Sequence, residues 1–298
     1  MNNSEEKKPL IKQGWLRALL FIIAFFILAL IITIPAVMLF TSYKAGNTGN
    51  DFLQTVTNLA SAQTLWVVAL VEFISSIACV FIFTRYIDKK NFAEIGTSSS
   101  GQMNNMLAGF FIAPAVIGIG TLVLYSTGHL EWDDFSFNGR DMIVQVGILL
   151  LIAISEELVF RGYILNNLAQ SFNKWIALLL SAFLFAIFHV SNPGVSAIPL
   201  ASLFLGGTLL GLNYLYTKNL WFSVMLHFGW NFFQGPVFGY KISGVDFPSL
   251  LLIQLKGDES ITGGDFGFEG SFIVTALLFI TATILFLYYE KKFTANKS

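Results

Sequence analysis

The residues able to do chemistry are few, and they sit inside apolar sequence. The stretch "SEELVFRGYI" holds Glu156, Glu157 and Arg161. On a helix Glu157 and Arg161 lie four apart on one face, within ion-pair reach, whereas Glu156 is rotated about 100° away. Arg161 can therefore neutralise Glu157 and leave Glu156 free to take a proton. "FAIFHV" supplies His189, and "MLHFGWN" supplies His227 and Asn231, again four apart on one face. A free carboxylate brought to an imidazole makes a water-activating pair. His227 and Asn231 can both donate hydrogen bonds to a developing oxyanion without carrying charge. Each feature also has a structural explanation: an arginine that snorkels to the membrane edge beside its glutamate, or hydrogen bonds between membrane helices. Those explanations leave Glu156 without a role.

The elements that carry these residues must bring them to one depth. The polar stretch "QSFNKW" turns the chain near 172–173, and across a helical hairpin centred there the position facing Glu156 is His189. Both lie roughly 22 to 24 Å from the turn at 1.5 Å per residue. Gly207 and Gly211 in "LGGTLLGLNY" form a small-xxx-small face that would let the span at 220–239 approach closely. Glu72, in "VEFISS", is the remaining intramembrane carboxylate and has no partner visible in the sequence, so a structural or pore-facing role fits it better than a catalytic one. A charged glutamate facing lipid costs at least about 2.5 to 3.5 kcal/mol, so Glu72, Glu156 and Glu157 must all face the bundle interior or water.

Composition sets the solvent. Of 298 residues 55% are hydrophobic and only 12% charged, and mean hydropathy is +0.69. A soluble domain carries about 25% charged residues, so a soluble enzyme, a disordered chain and a nucleic-acid binder are excluded. Apolar runs fall near 15–40, 65–84, 106–126, 143–160, 175–190, 199–217, 220–239 and 271–289. They predict an all-α, polytopic membrane bundle of about eight transmembrane helices, the seventh run being the weakest. The chain reads as one integral membrane domain over 1–298, with its catalytic core at about 143–240. The first run lacks a small-residue cleavage site and reads as a retained anchor. With the N-terminus inside, 12 of the 17 basic residues fall in cytoplasmic segments and four outside, with Arg161 in a span. This partition predicts a multi-pass cell-membrane protein with both termini cytoplasmic. The outer loops are then 41–64, 127–142 and 240–270, the last with the turn-rich "SITGGDFGFEGS". Cys79 is the single cysteine and allows no intrachain disulfide.

The ordered set EExxxR (Glu156, Glu157, Arg161), FxxxH (Phe185, His189) and HxxxN (His227, Asn231) resembles the CPBP intramembrane proteases. This CAAX protease and bacteriocin-processing family, also called Abi, includes the Ras-converting CAAX prenyl endopeptidases. Any one motif is weak, but three in this order are specific, and they cover 156–231. The resemblance implies a helical-bundle protease with a cavity open to the cytoplasm or the bilayer. In the family scheme Glu156 and His189 activate the attacking water, His227 and Asn231 stabilise the oxyanion, and Glu157 and Arg161 support the site. The family carries a metalloprotease label, yet HExxH is absent. Glu156, His189 and His227 would have to supply a His2Glu set for one divalent metal such as Zn. A metal-free, glutamate-dependent mechanism uses the same residues and is the preferred expectation, with no cofactor required.

The expected partners are the lipid bilayer and a membrane-embedded or lipidated peptide or protein substrate, with no nucleic acid. The resemblance favours a peptide precursor over a farnesylated substrate, and bacteriocin immunity, peptide maturation and surface-protein processing as roles. Two other classes compete. One is a non-catalytic membrane scaffold or bacteriocin self-immunity protein. The other is a transporter relaying protons through Glu72, Glu156 and His189, to which the HxxxN pair would add nothing.

Overall fold

The computed structural model describes residues 8–45 and 62–295. The expected outer loop at 41–64 lies for the most part outside the described residues. Helix α1 spans Gly14–Ala45, α2 spans Ala62–Ile82 with a π-helical extension over Phe83–Ile87, and α3 spans Met103–Ser126. Helix α4 is α-helical over Gly139–Glu157, π-helical over Leu158–Leu165 and closes with Asn166–Leu168. Then come α5 (Lys174–Phe188), α6 (Ala197–Thr217), α7 (Trp221–Phe232, with a π segment Phe233–Val237) and α8 (Phe272–Ala295).

These eight helices coincide with the eight apolar runs. Six of them, α1 to α4, α6 and α8, are long and apolar enough among the described residues to cross a membrane. Helices α5 and α7 are too short to span alone at 1.5 Å per residue. The shortness of α5 has a consequence: the chain leaves the helix at His189, which is its C-cap, and turns over 189–196 before α6 begins. Asn173 starts this helix by accepting hydrogen bonds from the Trp175 and Ile176 amides, and Asn138 starts α4 in the same way.

Helix α1 packs on α2, α2 on α4, α4 on α7, α7 on α3, and α5 and α8 on α6. Helices α1 and α8 bury only 17% of their apolar windows, whereas α6 buries 61%, which makes α6 the centre of the bundle and α1 and α8 its lipid-facing staves. Side chains from α1, α2 and α4 to α7 share one core around Tyr163, Leu165, Ala177 and Tyr214.

Two features depart from the sequence reading. The loops at 127–142 and 240–270 pair through a small antiparallel sheet, β1 (Leu130–Phe135) with β2 (Leu251–Leu255). Gly207 and Gly211 do not receive α7; they admit α5 and the end of α4, since a Cβ on Gly207 would lie 3.1 Å from Ala182 Cα and one on Gly211 2.6 Å from Leu178 Cδ1. The close approach to α7 is made by α3, where Gly109 abuts the Phe222 carbonyl. The second loop is a folded cover rather than a tether. Its Lys241 ammonium bonds Asp265 at 2.8 Å, which holds the Asp265 carboxyl below its ordinary range and raises Lys241.

Candidate functional site

The EExxxR motif straddles the junction at which α4 changes from α to π, with Glu157 the last α-helical residue. A π segment widens the helix and recurs at functional sites. Arg161 Nη1 lies 2.8 Å from Glu157 Oε1, and both side chains are 0% exposed. Arg161 therefore does not snorkel. Its Nη2 donates to the Gly207 carbonyl at 3.0 Å, and its guanidinium sits 4.6 Å from the Phe185 ring centre. The phenylalanine of FxxxH thus lies against the arginine of EExxxR.

Glu157 carries a second partner that the sequence did not announce: His227 Nδ1 lies 3.0 Å from the same Oε1. A carboxylate that already accepts from an arginine acts as an acceptor again, so the proton sits on Nδ1 of His227. That fixes the tautomer and changes the expected role. In the neutral ring Nε2 is a lone-pair acceptor, and it donates to an oxyanion only as an imidazolium. Glu156 Oε2, 4.0 Å from His227 Nε2, sits where it would favour that charge. Asn231, one turn on and 6% exposed, is the donor that needs no charge.

His189 Nδ1 lies 2.8 Å from the Phe185 carbonyl, which can only accept, so the His189 Nε2 lone pair is free. Among the described residues no hydrogen bond joins His189 directly to Glu156, but both line the same two cavities. Glu156 Oε2 is buried and has no hydrogen-bond partner, in contrast to the neighbouring Glu157 Oε1 with its two. The hairpin symmetry thus brings Glu156 and His189 to one site.

The first cavity, about 180 Å³, is lined by Glu156, His189, His227 and Asn231 within walls of leucine and isoleucine from α4, α6 and α7 and Phe185 of α5. Its far wall belongs to the 240–270 segment, through Ser243, Phe247 and Glu269. The second, about 210 Å³, shares Glu156, His189 and Asn192 with the first and adds Glu72.

Several of these residues were not singled out in the sequence. Glu269 receives Trp230 Nε1 at 3.0 Å and the Ser243 amide and hydroxyl at 3.2 and 3.0 Å, which ties the cover to the residue beside Asn231. Asn192 opens the Asn-Pro-Gly turn after His189, and the Asn-Pro dipeptide is a turn signal that could have placed it just past the C-terminal end of α5. Glu269 offers no such signal. As for a metal, no three His, Cys, Asp or Glu groups among the described residues converge at ligand spacing. As placed, Glu156, His189 and His227 do not form the His2Glu set, and no step below is routed through a metal.

Residues 138–233 match the family described as Type II CAAX prenyl endopeptidase Rce1-like. The chain is also similar to a Bacillus subtilis (strain 168) protein named "Putative membrane peptidase YdiL", at 28% identity over 235 residues, covering 74% of this chain and 87% of that protein. The family match encloses all seven motif residues, from Glu156 to Asn231. The resemblance to the CPBP proteases read from those motifs is borne out, and the comparisons point to a multi-pass membrane peptidase.

Proposed function

We propose that the chain is an intramembrane endopeptidase that hydrolyses a peptide bond in a membrane-associated or peptide-precursor substrate, with Glu156 as general base. The observation that carries this reading is the contrast between adjacent glutamates. Glu157 is consumed by Arg161 and His227, while Glu156, whose buried Oε2 makes no hydrogen bond, lines a cavity that His189, His227 and Asn231 also line.

The reaction follows from these positions. A water held between Glu156 and the free Nε2 of His189 gives one proton to Glu156 as its oxygen attacks the scissile carbonyl carbon. The carbonyl π electrons move to oxygen, where Asn231 Nδ2 donates a hydrogen bond and His227, when protonated, adds another from Nε2. Glu156 then passes its proton to the amide nitrogen as the C–N bond breaks, leaving a carboxylic acid and an amine. Glu157 and Arg161 act from behind, fixing the ring of His227. The apolar walls accept apolar side chains flanking the scissile bond. No cofactor is required in this scheme. The termini are proposed to be cytoplasmic and the 240–270 cover extracytoplasmic, which cysteine labelling at positions 256 and 291 from outside intact cells checks.

The decisive experiment compares membrane and secreted peptidomes of cells carrying the wild-type chain and Glu156→Ala at equal abundance. Peptides that depend on Glu156 define the substrate. Identical peptidomes alongside an unchanged cellular phenotype would leave a scaffold instead.

A further inference from the structure

Water must reach Glu156 inside a bundle whose main cavity is walled mostly by apolar side chains. The second cavity that Glu156 lines is different in kind. It is lined by Glu72, Glu156, His189 and Asn192 together with Phe25, Val159, Phe160 and Phe188. A water needs about 10 to 15 Å³ of such space and two to four polar partners. At about 210 Å³ and with four polar side chains, this cavity meets both conditions for several waters. Glu156, His189 and Asn192 belong to both cavities, so they lie where the two meet.

Glu72 comes from α2, a helix that contributes none of the three motifs. It makes no side-chain hydrogen bond or ion pair to a described residue, and Arg161, the cation nearest the motif, is engaged by Glu157 and the Gly207 carbonyl. A glutamate in an apolar span with no cationic partner is costly and calls for a functional explanation. Resting on the peptidase reading above, we propose that the second cavity is the water chamber of the enzyme and that Glu72 is a positioning residue in it. Its carboxyl accepts a hydrogen bond from the water delivered between Glu156 and His189, so that the water is oriented before Glu156 removes its proton. Glu72 exchanges no proton in the reaction and does not touch the peptide.

A hydrogen-bonding role is satisfied by an amide of the same length and abolished by an apolar side chain. The test uses the full chain in proteoliposomes and a quenched fluorogenic peptide carrying the cleavage sequence found by the peptidome comparison. Glu72→Gln is expected to keep kcat within about threefold of wild type. Glu72→Met, which preserves length, and Glu72→Leu are both expected to lower kcat per folded molecule about ten- to a hundredfold, the range from loss of one oriented contact to loss of most general-base advantage. KM should be unchanged in both. Two apolar variants guard against one failing to fold, and folded protein is counted by size-exclusion chromatography. Met and Leu variants within threefold of wild type, a loss confined to KM, or a Gln variant as impaired as the apolar ones would each overturn the role of Glu72. Glu156→Gln is measured in the same assay. If it cleaves as fast as wild type, or if no Glu156-dependent peptide exists, the peptidase reading has failed rather than the chamber.

Discussion

Two buried arginine–carboxylate pairs clamp α4, and their difference separates structure from function. At the end of α4, Arg17 Nη1 from α1 meets Asp88 at 2.6 Å, with Arg17 1% exposed. The other Asp88 oxygen receives Asn167 Nδ2 at 3.3 Å, and Arg17 Nη2 donates to Gln170 at 2.7 Å. That pair is closed off from the site: its further partners are Asn167 of α4 and Gln170 just beyond it, and it lines neither cavity. In mid-helix, Arg161 and Glu157 are equally buried, but Glu157 hands its charge on to His227, which faces the cavity. Glu157 Oε2 is left without a partner. A carboxylate tied only to structural side chains holds helices together; one that is tied to a titratable ring at a cavity wall can also tune chemistry.

The largest effect should come from the residue that belongs to neither pair. Glu156→Gln keeps size and hydrogen bonding but cannot accept a proton, so cleavage per folded molecule should fall by about 10² to 10⁴ while folded protein is retained. Near-normal cleavage would move the base elsewhere, and with it the meaning of the open pair.

Breaking each clamp gives the next effect and the sharpest contrast. Removing one partner of a buried ion pair costs about 3 to 5 kcal/mol. Asp88→Asn and Glu157→Gln should therefore both reduce the fraction that stays monodisperse in detergent after mild heating. Only Glu157→Gln should also lower cleavage per folded molecule, because His227 loses the carboxylate that fixes its ring. Equal activity losses in the two variants would erase the distinction.

Asn231→Ala ranks third. It removes one oxyanion donor at the cavity wall and should lower turnover by about 10² to 10³, or roughly 2.7 to 4 kcal/mol of transition-state stabilisation. Abundance should hardly change, and single-turnover cleavage against folded protein is the measurement.

The clamps also mark what a sequence discloses. Glu157 and Arg161 were legible because four-residue spacing on a helix is a local rule, and the Glu156–His189 meeting because a hairpin is nearly one. The eight apolar helices were legible as apolar runs, though two of them, α5 and α7, are too short to span. His227 on Glu157 was not, since 70 positions separate them and only the packing of α7 on α4 makes the contact. The same holds for Glu269, 39 positions from Trp230, which only the folding of the 240–270 cover brings to it. The π segment of α4 was invisible because it changes hydrogen-bond register without changing hydrophobic pattern. Asp88 sat just past a span end, where an acidic residue ordinarily faces water, and only α1 docking on α4 buries it.

The smallest effect is expected inside the closed pair, and it tests whether that pair is closed. Tyr163 projects its hydroxyl toward Asp88 Oδ1 at 3.4 Å, longer than the usual 2.7 to 2.8 Å or so between oxygens. Asp88 keeps Arg17 and Asn167 without it. Tyr163→Phe leaves the ring stacked on Phe21, 4.2 Å between centres, and against Phe83. The loss is then that of one weak hydrogen bond, at or below about 0.5 to 1.5 kcal/mol. Thermal stability in detergent should drop slightly and cleavage per folded molecule should not move. Tyr163 sits in the same π segment as Arg161, two residues along the chain, so a change in activity here would mean that the segment transmits strain between the two clamps. An unchanged rate would confine the chemistry to the face of α4 that meets α7.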